Sequence, residues 1–299
     1  MSKKRLSKHK YGYYFILPFF IAFLVFQLYP IIYSLGMSFM KWDGISTDIS
    51  FIGLENYRRL ISDKIFLKSI GNTWIMWLGS VIPQMIFAVL LAVVLNNKKL
   101  KGKGIFRGIF YLPNLVTAAS IGVLFSFIFG WQSGTLNRIL MELNIIKEPI
   151  NWLMGVGYSR GIVSFTSWWM WFGYSMIIFM AGMNTIPDEL HESAVIDGAS
   201  KWQDFWHITF PLLRPTILFA TITSLIGGMQ TFDIPNVLTK GSGAPQNSTL
   251  TMVMYLYNTA FKNSNHGYGA AIGYGLFIMI LIFSIISFKF INRKGDIYE

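Results

Sequence analysis

Residues 11–40, YGYYFILPFFIAFLVFQLYPIIYSLGMSFM, run for 30 positions without a formal charge. Five more such runs follow, at 69–97, 108–137, 161–187, 215–232 and 263–288. A hydrocarbon core about 30 Å thick is crossed by roughly 20 apolar residues at about 1.5 Å rise each. Each run therefore has room for a spanning helix, and six transmembrane helices are expected near 14–37, 74–95, 109–129, 161–181, 212–231 and 270–290. The fold class is all-α, a polytopic membrane protein. A seventh neutral run, 241–261, opens GSGAPQNST and is too polar and broken for lipid. It is expected to form an external loop carrying a short amphipathic helix around Met252 to Phe261.

Composition supports the membrane assignment. Only 13% of the 299 residues are charged against 53% hydrophobic, with mean hydropathy +0.48, whereas soluble domains average about 25% charged residues. The absence of cysteine removes disulfides, thiolate nucleophiles, Cys-ligated zinc and iron–sulfur clusters. The net charge of +11 follows membrane orientation rather than nucleic acid. The side holding both termini carries 15 Lys and Arg, the other side 10 spread over longer loops, so both termini are expected to be cytoplasmic. Lys98, Lys99, Lys101, Lys103 and Arg107 supply most of this asymmetry. The first apolar run is too long for a secretory h-region and lacks an Ala-x-Ala exit, so it reads as an uncleaved anchor. Three segments follow: 1–69 with the first span and an external loop, a core of five spans at 70–290, and a tail at 291–299.

The six expected spans hold no mid-membrane charge, which costs about 2.5–3.5 kcal/mol on insertion scales. Arg214 lies at the start of span five and Asp233 just past its outer end. This counts against a proton-coupled carrier, although sodium sites are also built from carbonyls and hydroxyls. His9, His191, His207 and His266 are scattered, with no H-E-x-x-H helix, so no metal site is expected. No phosphate-binding P-loop exists either; Lys101-Gly102-Lys103-Gly104 lacks its spacing and hydroxyl. If ATP drives this chain, another polypeptide must hydrolyse it.

Residues 185–211, TIPDELHESAVIDGASKWQDFWHITFP, encode two short helices. Thr185 to Asp188 fits a capping box with Pro187 in the first turn, and Gly198 stops the helix in the left-handed region. Ser200 to Gln203 is a second capping box, opening a helix with Trp202, Phe205, Trp206 and Thr209 on one face. A helix-turn-helix for DNA is excluded, because one Lys among five carboxylates would be repelled by phosphate. From the residues alone, an amphipathic hairpin on the membrane surface serves equally well.

The run Glu192-Ser193-Ala194-x-x-x-Gly198, then nine residues and Ile208-x-Phe210-Pro211, resembles the EAA loop of binding-protein-dependent ABC transporter permeases. Ser193 and Phe210 replace the family's alanine and leucine. The similarity extends over FILPFFIAFLVFQLYPIIYSLGMSF, FIGLENYRRL, TFDIPNVLTKGSGAP and YLYNTAF, which resemble the first of two unlike permeases in the sugar branch. The resemblance implies that the hairpin is a cytoplasmic coupling loop docking on an ATPase subunit. Leu190, Glu192, Ser193, Ala194, Asp197 and Gly198 would carry that contact.

Ser167, Trp171 and Tyr174 share one face of span four, with Trp169 nearby, while Ser224, Gly228 and Thr231 share a face of span five beside Gly227. Hydroxyls and aromatic rings of this kind bind sugars or polyols in a water-accessible cavity, and small residues at such spacing also pack helices closely. By the resemblance these positions match those lining the oligosaccharide site of sugar permeases. It also implies the partners: a second homologous permease, two ABC ATPase subunits holding ATP and Mg, and an extracytoplasmic solute-binding protein. The expected location is a bacterial or archaeal cell membrane, in contact with lipid. Three alternatives stay open: an ion-coupled secondary transporter, an importer of glycerol phosphate or polyol, and a structural subunit without a translocation path.

Overall fold

A computed structural model describes residues 3–97 and 100–292 of the chain. Lys98, Lys99 and the 293–299 tail, which carry part of the expected charge asymmetry, lie outside the described residues. The chain divides into two compact units, one running up to Asp63 and including Leu256–Gly275, the other comprising Lys64–Tyr255 and the chain from Leu276.

In the first unit, α1 (Lys3–Phe23) continues through a π turn at Leu24–Leu28 into α2 (Tyr29–Ser38). Pro30 has no N–H to give to the carbonyl four residues back, and the ladder widens just before it. Phe15 is 86% exposed and Phe26 78%, a surface suited to lipid or to a partner helix. A two-residue antiparallel ladder follows, β1 (Met40–Lys41) with β2 (Ser50–Phe51), Met40 opposite Phe51. Asp43 turns the connection by accepting from Ile45 N at 3.0 Å, Ser46 N at 2.8 Å and Ser46 Oγ at 2.9 Å. These bonds, led by the Ile45 amide, hold its carboxyl below the usual range. From α3 (Glu55–Ser62), buried Asn56 donates to Ser38 O and Met40 O, and Tyr268 OH donates to Asp63 at 2.6 Å.

The second unit is built on α4 (Lys64–Asn96), whose 33 residues span about 50 Å. Then come α5 (Lys103–Leu115), α6 (Ala118–Ile128), α7 (Thr135–Glu142) and α8 (Val156–Met183). The hairpin holds α9 (Asp188–Ile196), α10 (Lys201–Asp204), a π turn at Phe205–Thr209 and α11 (Phe210–Leu212). After it run α12 (Arg214–Met229), α13 (Asp233–Leu238), α14 (Met252–Tyr257) and α15 (His266–Asn292). Helices α4 and α8 share two cores. Ala88, Ala92 and Leu95 pack with Met176, Phe179, Met180 and Met183, while Met76 packs with Ile162, Val163 and Met170 alongside α6 and α13. Unbranched methionines fill the irregular gaps left between crossing helices.

Five described helical stretches are long and apolar enough to cross a membrane: Tyr13–Ser38, Lys64–Asn96, Val156–Met183, Arg214–Leu238 and His266–Lys289. The expected rod at 109–129 is instead two helices, α5 and α6, bent by 92° at their break. Val116 and Thr117 are extended, and Thr117 Oγ1 caps α6 by accepting from Ser120 N at 3.2 Å. A sixth span exists only if this pair counts as one. Thr185 does not form the expected capping box; its hydroxyl donates to Gly182 O, and Pro187 takes the N-cap position of α9.

The polar run after α13 leads into a short helix where one is expected, α14 at Met252–Tyr257, and much of the run is packed inside the protein. Ser248, Thr249, Leu250 and Thr251 are buried, as are Met252 and Met254 at the start of α14. Asn72, 1% exposed, donates to Asn247 O at 2.6 Å and Leu250 O at 3.0 Å. Arg160 gives Nη2 to Asn72 Oδ1 at 2.7 Å and Nε to Ser248 O at 3.0 Å. Thr73 Oγ1 accepts from Met252 N at 3.1 Å. The polarity that argues against lipid is spent inside the protein. Asn72→Ala removes a donor from the carbonyls of Asn247 and Leu250 and the acceptor of Arg160 Nη2, costing about 1–3 kcal/mol. In detergent, a lower Tm and faster proteolysis between residues 241 and 251 are expected.

Candidate cargo cavity and coupling hairpin

A cavity of about 620 Å³ opens in the second unit, walled by α4, α8, α12 and the start of α13. Seven of the eight sequence-expected residues line it: Ser167, Trp171 and Tyr174 from α8, and Ser224, Gly227, Gly228 and Thr231 from α12 and its exit. Trp169 does not. Two residues from Trp171 on a helix, it points to another side, with its ring 5.4 Å from Phe125 in the core. Trp171 is 42% exposed, and Tyr174 meets it edge-on at 5.8 Å.

The two glycines do different things. Gly227 has nothing within 4 Å of where a Cβ would stand, whereas a Cβ on Gly228 would overlap the Trp77 ring. Trp77, on α4, fills that space and donates Nε1 to Ser224 O at 3.0 Å and, more weakly, to its Oγ at 3.3 Å. Gly228 is thus a close-packing position, and Trp77 becomes an aromatic wall that sequence spacing on α8 and α12 did not reveal.

Other lining groups escaped the sequence as well. Gln84 donates to Ser175 Oγ at 2.8 Å across α4 and α8, and Thr251 Oγ1 donates to Thr231 O at 2.8 Å. Asp233, expected just outside span five, belongs to the stretch Arg214–Leu238 and lines the cavity. The helix breaks after Met229, and α13 restarts at Asp233, so the carboxylate sits on a polar wall instead of in lipid. Gln230 lies on the same wall.

The hairpin is closed by local bonds. Gly198, at φ +79°, closes α9 with Gly198 N on Val195 O at 3.1 Å and Ala199 N on Ala194 O at 2.9 Å, a Schellman arrangement. Ser200 and Gln203 form the expected reciprocal cap of α10. His191 Nδ1 lies 2.7 Å from Asp204 Oδ1 and ties the two helices together, a contact invisible to short-range spacing. Glu192, Ser193, Asp197, Gly198 and Leu190 are exposed, whereas Ala194 is turned inward. Val195 and Ile196 are 72% and 85% exposed. Trp202 is 69% exposed, so the aromatic face of the second helix is only partly covered; Trp206 packs on Phe210 at 4.9 Å.

Long apolar helices around a polar and aromatic cavity define a multi-pass helical membrane protein with a solute-sized interior. The family described as binding-protein-dependent transport system inner membrane component matches residues 73–294. The lactose transport system permease protein LacF of Rhizobium radiobacter is 36% identical, over 93% of this chain and 92% of its own. The arabinooligosaccharides transport system permease protein AraP of Bacillus subtilis (strain 168) is 37% identical, over 97% and 91%. This chain belongs to that family of transport components, a permease subunit rather than an enzyme. The fold is also that of a chain in the crystal structure of a bacterial alginate ABC transporter in complex with alginate pentasaccharide-bound periplasmic protein. The TM-score there is 0.81 at 23% identity, covering 97% of this chain and 96% of that one.

Gly228→Leu is expected to push Trp77 off the cavity wall, costing about 1–3 kcal/mol as overpacking does. Gly227→Ala, which meets open space inside α12, should leave Tm the same or slightly higher in the same detergent unfolding assay.

Proposed function

We propose that this chain is the membrane permease of an ATP-driven importer of sugars, oligosaccharides in particular. It forms the translocation path with a second homologous permease. A solute-binding protein delivers cargo from outside, and two ABC ATPase subunits supply ATP hydrolysis from the cytoplasm. Both termini are cytoplasmic, and α5 with α6 counts as the sixth span of a bacterial or archaeal cell membrane.

One observation carries the cargo class: the wall of a 620 Å³ cavity combines the Trp171, Tyr174 and Trp77 rings with hydroxyl and amide groups. Sugars present C–H faces that stack on aromatic rings and hydroxyls that hydrogen-bond to such groups. Relatives named for lactose and arabinooligosaccharides agree with it.

Energy enters through the hairpin. Exposed Glu192 offers a charge-assisted bond to a basic ATPase residue, exposed Val195 and Ile196 offer apolar area, and the His191–Asp204 contact makes α9 and α10 move as one. Closure of the ATPase pair on ATP then turns the helices around the cavity from inward- to outward-facing.

Glu192→Ala and Gly198→Val are expected to insert and assemble normally but to lower both uptake and cargo-stimulated ATP hydrolysis by roughly 10-fold, as a lost charge-assisted bond does. Normal rates in both variants would contradict the coupling role. Trp171→Ala and Tyr174→Ala should each raise the cargo concentration for half-maximal uptake by about 5–10-fold, the loss of one aromatic contact; unchanged transport in both removes them from the path.

A further inference from the structure

Among the residues lining the cavity, Asp233 is the one with a formal charge, and no Lys or Arg lines it with Asp233. Its carboxylate is exposed and makes no hydrogen bond or ion pair with any described residue. It does not cap α13, although it opens that helix. Gln230, three residues earlier on the same wall, also keeps its side-chain amide free of described partners. The remaining polar side chains of this wall are occupied: Thr231 Oγ1 points back to Gly227 O at 3.4 Å, and Thr251 Oγ1 is used on Thr231 O.

We propose that Asp233 sets cargo specificity by accepting two neighbouring hydroxyls of a neutral saccharide and by rejecting anionic ones, with Gln230 as its neutral partner. This rests on the carbohydrate reading and narrows it to uncharged glycans. An ionised carboxylate is an acceptor only, with two oxygens placed to take a pair of O–H donors, and such charge-assisted bonds are about twice as strong as neutral ones. The same oxygens offer nothing to a uronate carboxylate or a phosphate. In a cavity without a balancing cation, that second negative charge meets uncompensated repulsion. Gln230, with both a donor pair and an acceptor, satisfies a third hydroxyl whichever way it points. Stacking on Trp171 fixes the ring plane while the Asp233 wall reads its edge.

The test uses the whole complex of permeases and ATPases in nanodiscs, with saccharide binding followed by tryptophan fluorescence. Lactose, arabinopentaose and maltopentaose serve as neutral probes and pentagalacturonate as the anionic one. The wild type should bind at least one neutral probe about 10-fold or more tightly than pentagalacturonate. Asp233→Asn, which keeps size and removes charge, should bring that ratio within about 3-fold; Asp233→Glu should retain it. An unchanged ratio in Asp233→Asn, or a wild type that favours pentagalacturonate, overturns the proposal while leaving the carbohydrate reading intact. A wild type that binds none of the four probes overturns both.

Discussion

The contact between α4 and α8 holds the second unit together. Apolar side chains gain little by leaving lipid for a protein interior, so helix association in a bilayer depends on close packing and on interhelical hydrogen bonds. This pair has both at several levels. Arg160 meets Asn72 near one end, Ser164 donates to Met76 O at 3.1 Å further along, and Gln84 donates to Ser175 beyond that. Between and after these bonds, Ala88 and Ala92 let the methionines of α8 seat against α4. The same two helices then supply opposite services. Their Asn72–Arg160 end grips the loop after α13, and their inner faces form part of the cavity.

Much of this was legible because the bilayer imposes simple rules. Long uncharged runs located α1–α2, α4, α8, α12 and α15, and helix-ending Gly198 with the Ser200–Gln203 cap located the hairpin. Helical spacing brought Ser167, Trp171 and Tyr174 to one face. What was not legible shares a cause. Val116 ends one helix and Thr117 caps the next, a local bond that interrupts the apolar run through 109–129. The burial of the polar segment at 241–251 depends on Asn72 and Arg160, about 175 and 90 residues away, which bond its backbone. Trp77, Asp233 and the His191–Asp204 bridge depend equally on distant neighbours, and no short-range periodicity encodes those.

Cavity and hairpin are joined by a short path. Helix α12 begins directly after the hairpin and contributes Ser224, Gly227 and Gly228 to the cavity wall. The hairpin is held by a Schellman turn, a capping box and the His191–Asp204 contact. Trp77, wedged over Gly228 and bonded to Ser224, joins α12 to α4. On the proposed coupling role, force applied at α9 has this continuous path to the cavity wall.

The most direct measurement uses the lack of native cysteine. A single Val195→Cys thiol, at a position 72% exposed on α9, reports which side of the membrane the hairpin occupies. A membrane-impermeant maleimide should leave it unlabelled in intact cells, label it in inverted vesicles stripped of ATPase, and lose access when the ATPase subunits are restored. Labelling from outside intact cells, or labelling unaffected by the ATPase, would contradict the account.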